Sequence, residues 1–200
     1  MAEQYFAREP RSRHEEREFA VTVRGRQFRF LTDSGVFAKR GLDRGTELLA
    51  EAMEIGPSFL TLDLGCGYGA LGAVSAALAP KGRAVLTDVN ARAVALAKRN
   101  LERNGLLNAE VRRGDGFRPV EGLLFDAVVT NPPIRAGKEV VQGLARRARD
   151  HLVHGGTLWM VVRTKQGAPS YRKFLESVYD EVREPAKGSG YRVLAATRRL

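Results

Sequence analysis

Apolar and polar positions alternate along Glu18-Phe19-Ala20-Val21-Thr22-Val23, break at Arg24-Gly25, and alternate again along Arg26-Gln27-Phe28-Arg29-Phe30. Two such runs about a short glycine turn predict a β-hairpin. Asp33-Ser34-Gly35 predicts a loop, and Asp43 the N-cap of a short helix carrying Leu48, Leu49 and Met53. From Ser58 the pattern changes to short apolar runs separated by amphipathic stretches. Residues 59–62, 84–87, 109–111 and 125–129 predict buried strands; His154-Gly155-Gly156 predicts a turn into a fifth at 157–162. Helices are expected at 70–79, from Asn90 to about Asn104-Gly105, at 138–151 and at 169–177, with a closing pair of strands at 179–184 and 190–197. Strand alternating with helix implies an α/β fold, a mostly parallel sheet with helices on both faces. Residues 1–57 are expected to form an extension packed on a core spanning 58–200.

Length and composition narrow the class. Two hundred residues, 44% of them hydrophobic, suit one domain with a substantial core. No stretch approaches the roughly 20 continuous apolar residues that cross a bilayer. The segment up to Glu18 is crowded with charge and lacks the apolar run of a secretory signal. Lone Cys66 excludes an internal disulfide framework. The expectation is a cytoplasmic protein without a membrane partner.

The formal charge of +10 is unevenly spread. Residues 1–57 hold ten Lys/Arg and ten Asp/Glu, residues 58–134 nine and seven, and residues 135–200 fourteen and six. A basic surface after Ile134 would attract polyanions; general solubility charge is the alternative.

Candidate chemistry begins at Asp63-Leu64-Gly65-Cys66-Gly67-Tyr68-Gly69, which follows the first core strand and opens a helix. Gly65, Gly67 and Gly69 let backbone turn tightly beside a ligand. The same residues with Ala70 fit the dinucleotide fingerprint. Asp63 argues against a dinucleotide: at the mouth of the crevice it would repel a pyrophosphate. It suits S-adenosyl-L-methionine, which carries a sulfonium and an ammonium; a cap on the glycine turn is its structural alternative. Asp88, with Val89 after it, ends the second core strand and is placed to accept from ribose hydroxyls. Asp115, in Gly114-Asp115-Gly116, is either an acceptor for an adenine amine or an ordinary turn residue. Cys66 has neither a base nor a metal site near it, and no metal is expected.

Asn131-Pro132-Pro133-Ile134 directly follows the fourth core strand. Consecutive prolines lock the backbone and leave the Pro132 carbonyl without a regular partner. That carbonyl and the Asn131 side-chain oxygen form two fixed acceptors. A conjugated amine is a poor nucleophile, and accepting from both its N–H groups stabilises the charge that develops as it attacks a methyl carbon. A rigid strand-to-helix turn is the competing reading.

Taken in order, these motifs resemble the small-domain class I methyltransferases related to the 16S ribosomal RNA guanine-N2 enzymes. The likeness extends to Phe30-Leu31-Thr32-Asp33-Ser34-Gly35-Val36-Phe37 and Gly41-Leu42-Asp43-Arg44-Gly45-Thr46 upstream. Downstream it takes in Asn131 to Glu139 and Thr164-Lys165-Gln166-Gly167-Ala168, strings similar to a stand-alone archaeal branch. The resemblance implies a Rossmann-like sheet of seven strands with the last antiparallel. It also implies S-adenosyl-L-methionine as cofactor and S-adenosyl-L-homocysteine as product. It places Phe37 and Gly116 near the cofactor, and makes Asn131 and Pro132 the receivers of the target amine. Pro133 and Ile134 fall on the substrate side, and the charge count with loops opening on the same sheet edge puts Arg135, Lys138 and Lys165 there too. The chain departs from the family in two ways: it has no room for the extra N-terminal domain of the larger ribosomal enzymes, and Ile134 stands where many amino-methyltransferases have an aromatic. Tyr5-Phe6 is a candidate substitute for that stacking.

Three functions follow as expectations: methylation of an exocyclic amine of an RNA base, foremost guanine N2 of ribosomal RNA; methylation of a protein glutamine amide with the same acceptors; or a non-catalytic RNA-binding module. RNA or a ribosomal subunit is the expected partner, with the oligomeric state left open.

Overall fold

The structure is a computed structural model that describes residues 15–36 and 41–199. Strands β1 (Arg17–Val23) and β2 (Arg26–Thr32) form the antiparallel hairpin. Arg24 and Gly25 both take positive φ, 51° and 77°, the turn whose twist matches the strands it joins. Helix α1 (Arg44–Ala52) starts at Asp43, whose Oδ2 accepts from the Gly45 and Thr46 N–H groups at 3.0 and 3.2 Å.

The main sheet holds β3 (Leu60–Leu64), β4 (Arg83–Asp88), β5 (Ala109–Arg113), β6 (Phe125–Thr130), β7 (Leu152–Arg163), β8 (Glu181–Gly188) and β9 (Tyr191–Thr197). Its order is β5-β4-β3-β6-β7-β9-β8. Strands β3 to β7 pair in parallel, and β9 runs antiparallel to both neighbours. Helices α2 (Ala70–Leu78), α3 (Ala91–Arg103), α4 (Lys138–Asp150) and α5 (Ala168–Glu176) complete the fold. The core strands read as apolar runs because both faces are covered. Trp159 and Val161 face the core shared with the hairpin, α1, α2 and α3, while Leu158, Met160 and Val162 face α4 and α5.

The hairpin is held without joining the main sheet. Asn100 accepts from Leu31 N at 2.7 Å and donates to Leu31 O at 2.9 Å. Asn104 accepts from Arg29 N at 3.0 Å and donates to Arg29 O at 2.8 Å. Four residues along a helix advance about 6 Å, close to the roughly 6.5–7 Å of two residues along a strand. Two asparagines one turn apart on α3 therefore stand in for a neighbouring strand. Asn100 also donates to Tyr68 O at 2.8 Å, tying the hairpin to the glycine loop.

One expected turn is absent. His154-Gly155-Gly156 lies inside β7, which begins at Leu152, and the ladder steps from Phe125↔Leu152 to Ala127↔Thr157 across a bulge. Gly155 N donates to Arg198 O, and Arg198 N to Gly156 O. A side chain at 156 would meet the Val153 and Phe125 carbonyls at 2.9 and 3.0 Å, so glycine here serves close backbone approach rather than a chain reversal. Among the described residues, no helix is long and apolar enough to cross a membrane.

Candidate active site

A cavity of about 650 Å³ opens at the C-terminal edge of the parallel strands. The sheet order places it there: connections from β3 and β6 leave to opposite sides, and such switch points leave a crevice for ligand.

The glycine loop forms one wall. Gly65 and Gly67 have φ of 72° and 56° and line the cavity with open space where a Cβ would be. The Gly65 and Cys66 N–H groups both donate to Thr87 O at 2.9 Å, pinning the loop to β4. Gly69 has a different part. It does not line the cavity; it lies buried at the start of α2, where a Cβ would come within 3.1 Å of Ala97 and 3.2 Å of Leu86. Its φ of 91° and this packing explain the glycine.

Of the four acids on the cavity wall, the three expected from the sequence differ in environment. Asp63 is 2% exposed, set below the loop rather than at the mouth, and Oδ2 accepts from Gly72 N at 2.7 Å. Its partner N–H belongs to the first turn of α2 rather than to the glycine turn, and the residue also lines the cavity. Burial pushes its pKa up to about 7; the Gly72 N–H works against this, and Asp88 adds to the rise. Asp88 accepts from Gly67 N through Oδ2 and from Asn90 N through Oδ1, each at 2.8 Å. Its pKa is raised by burial, with those N–H groups opposing. Asp115 is exposed and lines the cavity beside Gly116. Val89 lies on the same wall. Burial, with the nearby Asp88 and Asp63 charges, lifts the Cys66 thiol well above its ordinary value, which leaves no thiolate to act as nucleophile.

The segment after β2 supplies the opposite wall through Val36. It is tied to α3 by Asn90 Nδ2, which donates to Gly35 O at 3.1 Å, and by the Arg92–Asp33 ion pair at 3.6 Å. Phe37 and the Tyr5-Phe6 pair lie outside the described residues.

Beyond β6, Asn131, Pro132, Pro133, Ile134 and Arg135 all line the cavity. The Asn131 amide is oriented by α1: Nδ2 donates to Thr46 Oγ1 at 3.0 Å and to Asp43 Oδ2 at 3.2 Å. That leaves Oδ1 as the end unused by α1. The Pro132 carbonyl differs from expectation, because it accepts from Ile134 N at 2.8 Å. Pro133, at φ −74° and ψ 75°, makes an inverse γ-turn that closes this contact, which the proline ring does not prevent because Ile134 supplies the donor. A carbonyl has two lone pairs, so one acceptor position remains. Lys138 and Lys165 are exposed and do not line the cavity.

Four cavity residues that form one network with Asn131 were not expected at the site: Asp43 and Thr46 were legible only as a helix N-cap and as part of the upstream family string, and Arg163 and Tyr191 carried no signal. Tyr191 OH donates to Asp43 Oδ1 at 3.2 Å, and Arg163 Nε donates to Tyr191 OH at 2.9 Å. A hydrogen-bonded chain thus runs from Asn131 through Asp43 and Tyr191 to Arg163.

Sheet order, glycine loop and cavity together define a Rossmann-like, S-adenosylmethionine-dependent methyltransferase. The chain belongs to the methyltransferase small domain family, whose sequence profile matches residues 27–195. It is 39% identical to uncharacterized protein YbxB of Bacillus subtilis (strain 168), over 99% of this chain and all of that one. It is 36% identical to ribosomal RNA small subunit methyltransferase C of Pseudomonas fluorescens, over 82% of this chain and 49% of the relative. A solved structure of the Thermus thermophilus 16S rRNA N2 G1207 methyltransferase, in complex with AdoMet and guanosine, superposes with a TM-score of 0.81 at 29% identity. It covers 92% of this chain and 51% of that one. The chain spans about half the length of the ribosomal RNA relatives it matches.

Proposed function

We propose that this protein methylates the exocyclic N2 amine of a guanine in RNA, with ribosomal RNA or a ribosomal subunit as partner. The observation that carries this is the Asn131 amide, whose nitrogen is held by Asp43 and Thr46 so that its oxygen remains to accept from an amine. The basic third of the chain and the likeness to ribosomal RNA small subunit methyltransferase C support RNA as the substrate.

The cavity suits a cationic nucleoside: Asp63 lacks a cationic partner among the described residues, and Asp88 lines the same cavity, bonded to the glycine loop through Gly67 N. Bound S-adenosyl-L-methionine supplies an activated methyl group and leaves as S-adenosyl-L-homocysteine. Asp63 offsets positive charge at the methionine end, Asp88 accepts from ribose hydroxyls, and Asp115 accepts from the adenine amine. Asn131 Oδ1 and the remaining lone pair of the Pro132 carbonyl accept the two N–H groups of the target. This aims its lone pair at the methyl carbon as the N–C bond forms and the C–S bond breaks. The methylated nitrogen then releases a proton to water, so the site needs no strong base.

The test is incubation with methyl-labelled cofactor and, separately, ribosomal subunits, total RNA and a protein release factor, followed by hydrolysis to nucleosides and amino acids. Label is expected in N2-methylguanosine. Label in glutamine, in another base, or in nothing would overturn the proposal.

A further inference from the structure

Arg163 ends β7 on the same strand face as Val161, and both line the cavity. Its cross-strand partner on β9 is Tyr191. Nε donates to Tyr191 OH at 2.9 Å, and the guanidinium carbon lies 5.1 Å from the centre of the Tyr191 ring. The side chain is thus fixed at one nitrogen and along one flat face. Its two terminal nitrogens have no partner among the described residues. Two arginines of the adjoining strands are paired instead, Arg192 with Glu184 at 2.9 Å and Arg183 with Glu54 at 3.3 Å. Arg163 is an exposed charged fork at the cavity wall, held by Tyr191 with its terminal donors open to solvent, and Tyr191 and Asp43 link it to the amide that would receive the target amine.

We propose that Arg163, oriented by Tyr191, reads the O6 and N7 acceptors of the target guanine and so sets the base specificity of the site. This rests on the guanine reading above. With N2 at Asn131, the Hoogsteen edge carrying O6 and N7 faces away from the amine, and there a planar guanidinium can donate two parallel hydrogen bonds to O6 and N7. Adenine would present no matching acceptor pair from that position. Arg163 meets the substrate; Tyr191 is a positioning residue.

The test compares guanosine with 2-aminopurine riboside, which keeps the N2 amine and lacks O6, as ligands for the protein saturated with S-adenosyl-L-homocysteine. Wild type should favour guanosine by about tenfold to a hundredfold, the discrimination expected of a bidentate arginine–guanine contact. In Arg163→Ala the preference should collapse towards unity. Arg163→Lys should recover only part of it, and Tyr191→Phe should fall between wild type and Arg163→Ala. Because the analogue also lacks the N1 proton, the assignment rests on the change in preference between proteins. Circular dichroism and cofactor affinity verify that each variant is folded. An unchanged preference in Arg163→Ala, or a wild type that binds guanosine no better than the analogue, would overturn the proposal. A variant that keeps the preference but loses RNA affinity in a salt-dependent way would make Arg163 a phosphate contact, which also overturns it. Failure of the guanine reading itself would appear separately, as label in another base or in protein.

Discussion

Asn131 Nδ2 lies 3.2 Å from Asp43 Oδ2, a contact between residues 88 positions apart. Asp43 already caps α1 through Gly45 and Thr46, so one carboxylate both starts a helix and sets which end of the Asn131 amide faces the cavity. Asp43 can only accept, so the amide must present its nitrogen to α1 and its oxygen elsewhere.

Asn131→Ala should therefore lower turnover by about 10² to 10³ while leaving cofactor affinity nearly unchanged, since the lost acceptor matters most as charge develops on the attacking nitrogen. Single-turnover rates on the methylated RNA, beside calorimetric cofactor titration, separate the two. Near-normal turnover would reduce the Asn-Pro-Pro turn to a structural role.

Asp88→Ala should weaken S-adenosyl-L-methionine binding by about 1.5–3 kcal/mol, the range for hydrogen bonds to a charged group. The loss has two sources, because Asp88 also holds the Gly67 and Asn90 N–H groups. NAD should bind neither protein. Tight NAD binding with no response to either sulfur nucleoside would contradict the cofactor assignment.

Asp63 makes cofactor binding pH-dependent. Its pKa near 7 means that the folded protein without ligand holds a proton on this carboxyl between about pH 4 and 7 that the unfolded chain has released. Its contribution to stability is thus most favourable at low pH and is lost as pH rises towards 7. A cationic ligand reverses the preference by favouring the carboxylate. Affinity should fall as pH drops below 7, and binding at pH 6 should release a proton, visible as a dependence of binding heat on the buffer's ionisation enthalpy. Asp63→Asn should abolish that release; if it persists unchanged, the proton comes from another group.

Much of this arrangement was legible in the chain. The switch from alternating to continuous apolar runs at Ser58 reports burial on both sheet faces, and Asp43 and Asn90 cap the helices expected of them. The rest depends on partners distant in sequence. Tyr191 meets Asp43 across 148 positions, and no local spacing encodes that. His154-Gly155-Gly156 carries turn residues, but its backbone groups are claimed by Arg198, which local pattern does not reveal. The proline run indicates a Pro132 carbonyl outside any helix or strand ladder, but not that the Ile134 N–H just beyond it closes a γ-turn on it.

Asn100→Ala should destabilise the fold, because it leaves Leu31 N, Leu31 O and Tyr68 O without their partner in a fully buried position. A cost on the order of 3 kcal/mol follows from the unsatisfied groups. At about 2–4 °C per kcal/mol for a chain this size, melting should fall by roughly 6–12 °C. Cofactor affinity should drop as well, since the hairpin leads into the wall at Val36. Asn104→Ala, at a more exposed contact, should cost about 0.5–1.5 kcal/mol. Equal losses at the two positions would show that the asparagine pair does not grade with burial.

Lys138 opens α4 just beyond the Asn-Pro-Pro turn, and Lys165 lies in the short turn after β7. Strands β6 and β7 are parallel neighbours, so both loops open on the edge that carries the cavity. The two lysines are exposed and stand outside the cavity wall, while Arg135 and Arg163 line it. That division suits a strand of RNA with one base inserted: inner groups meet the base, and outer cations meet flanking phosphates, which position a strand without reading it. The double variant Lys138→Ala/Lys165→Ala should bind RNA more weakly across many sequences, with cofactor affinity retained. Each lost phosphate contact should reduce the slope of log affinity against log salt by about 0.7–0.9. Base preference should not change, because neither lysine reaches the cavity. Affinity titrations at several salt concentrations measure the slope directly. A double variant with wild-type affinity and slope would mean that these lysines only solvate the surface, and the phosphate path would have to run elsewhere on the basic third of the chain.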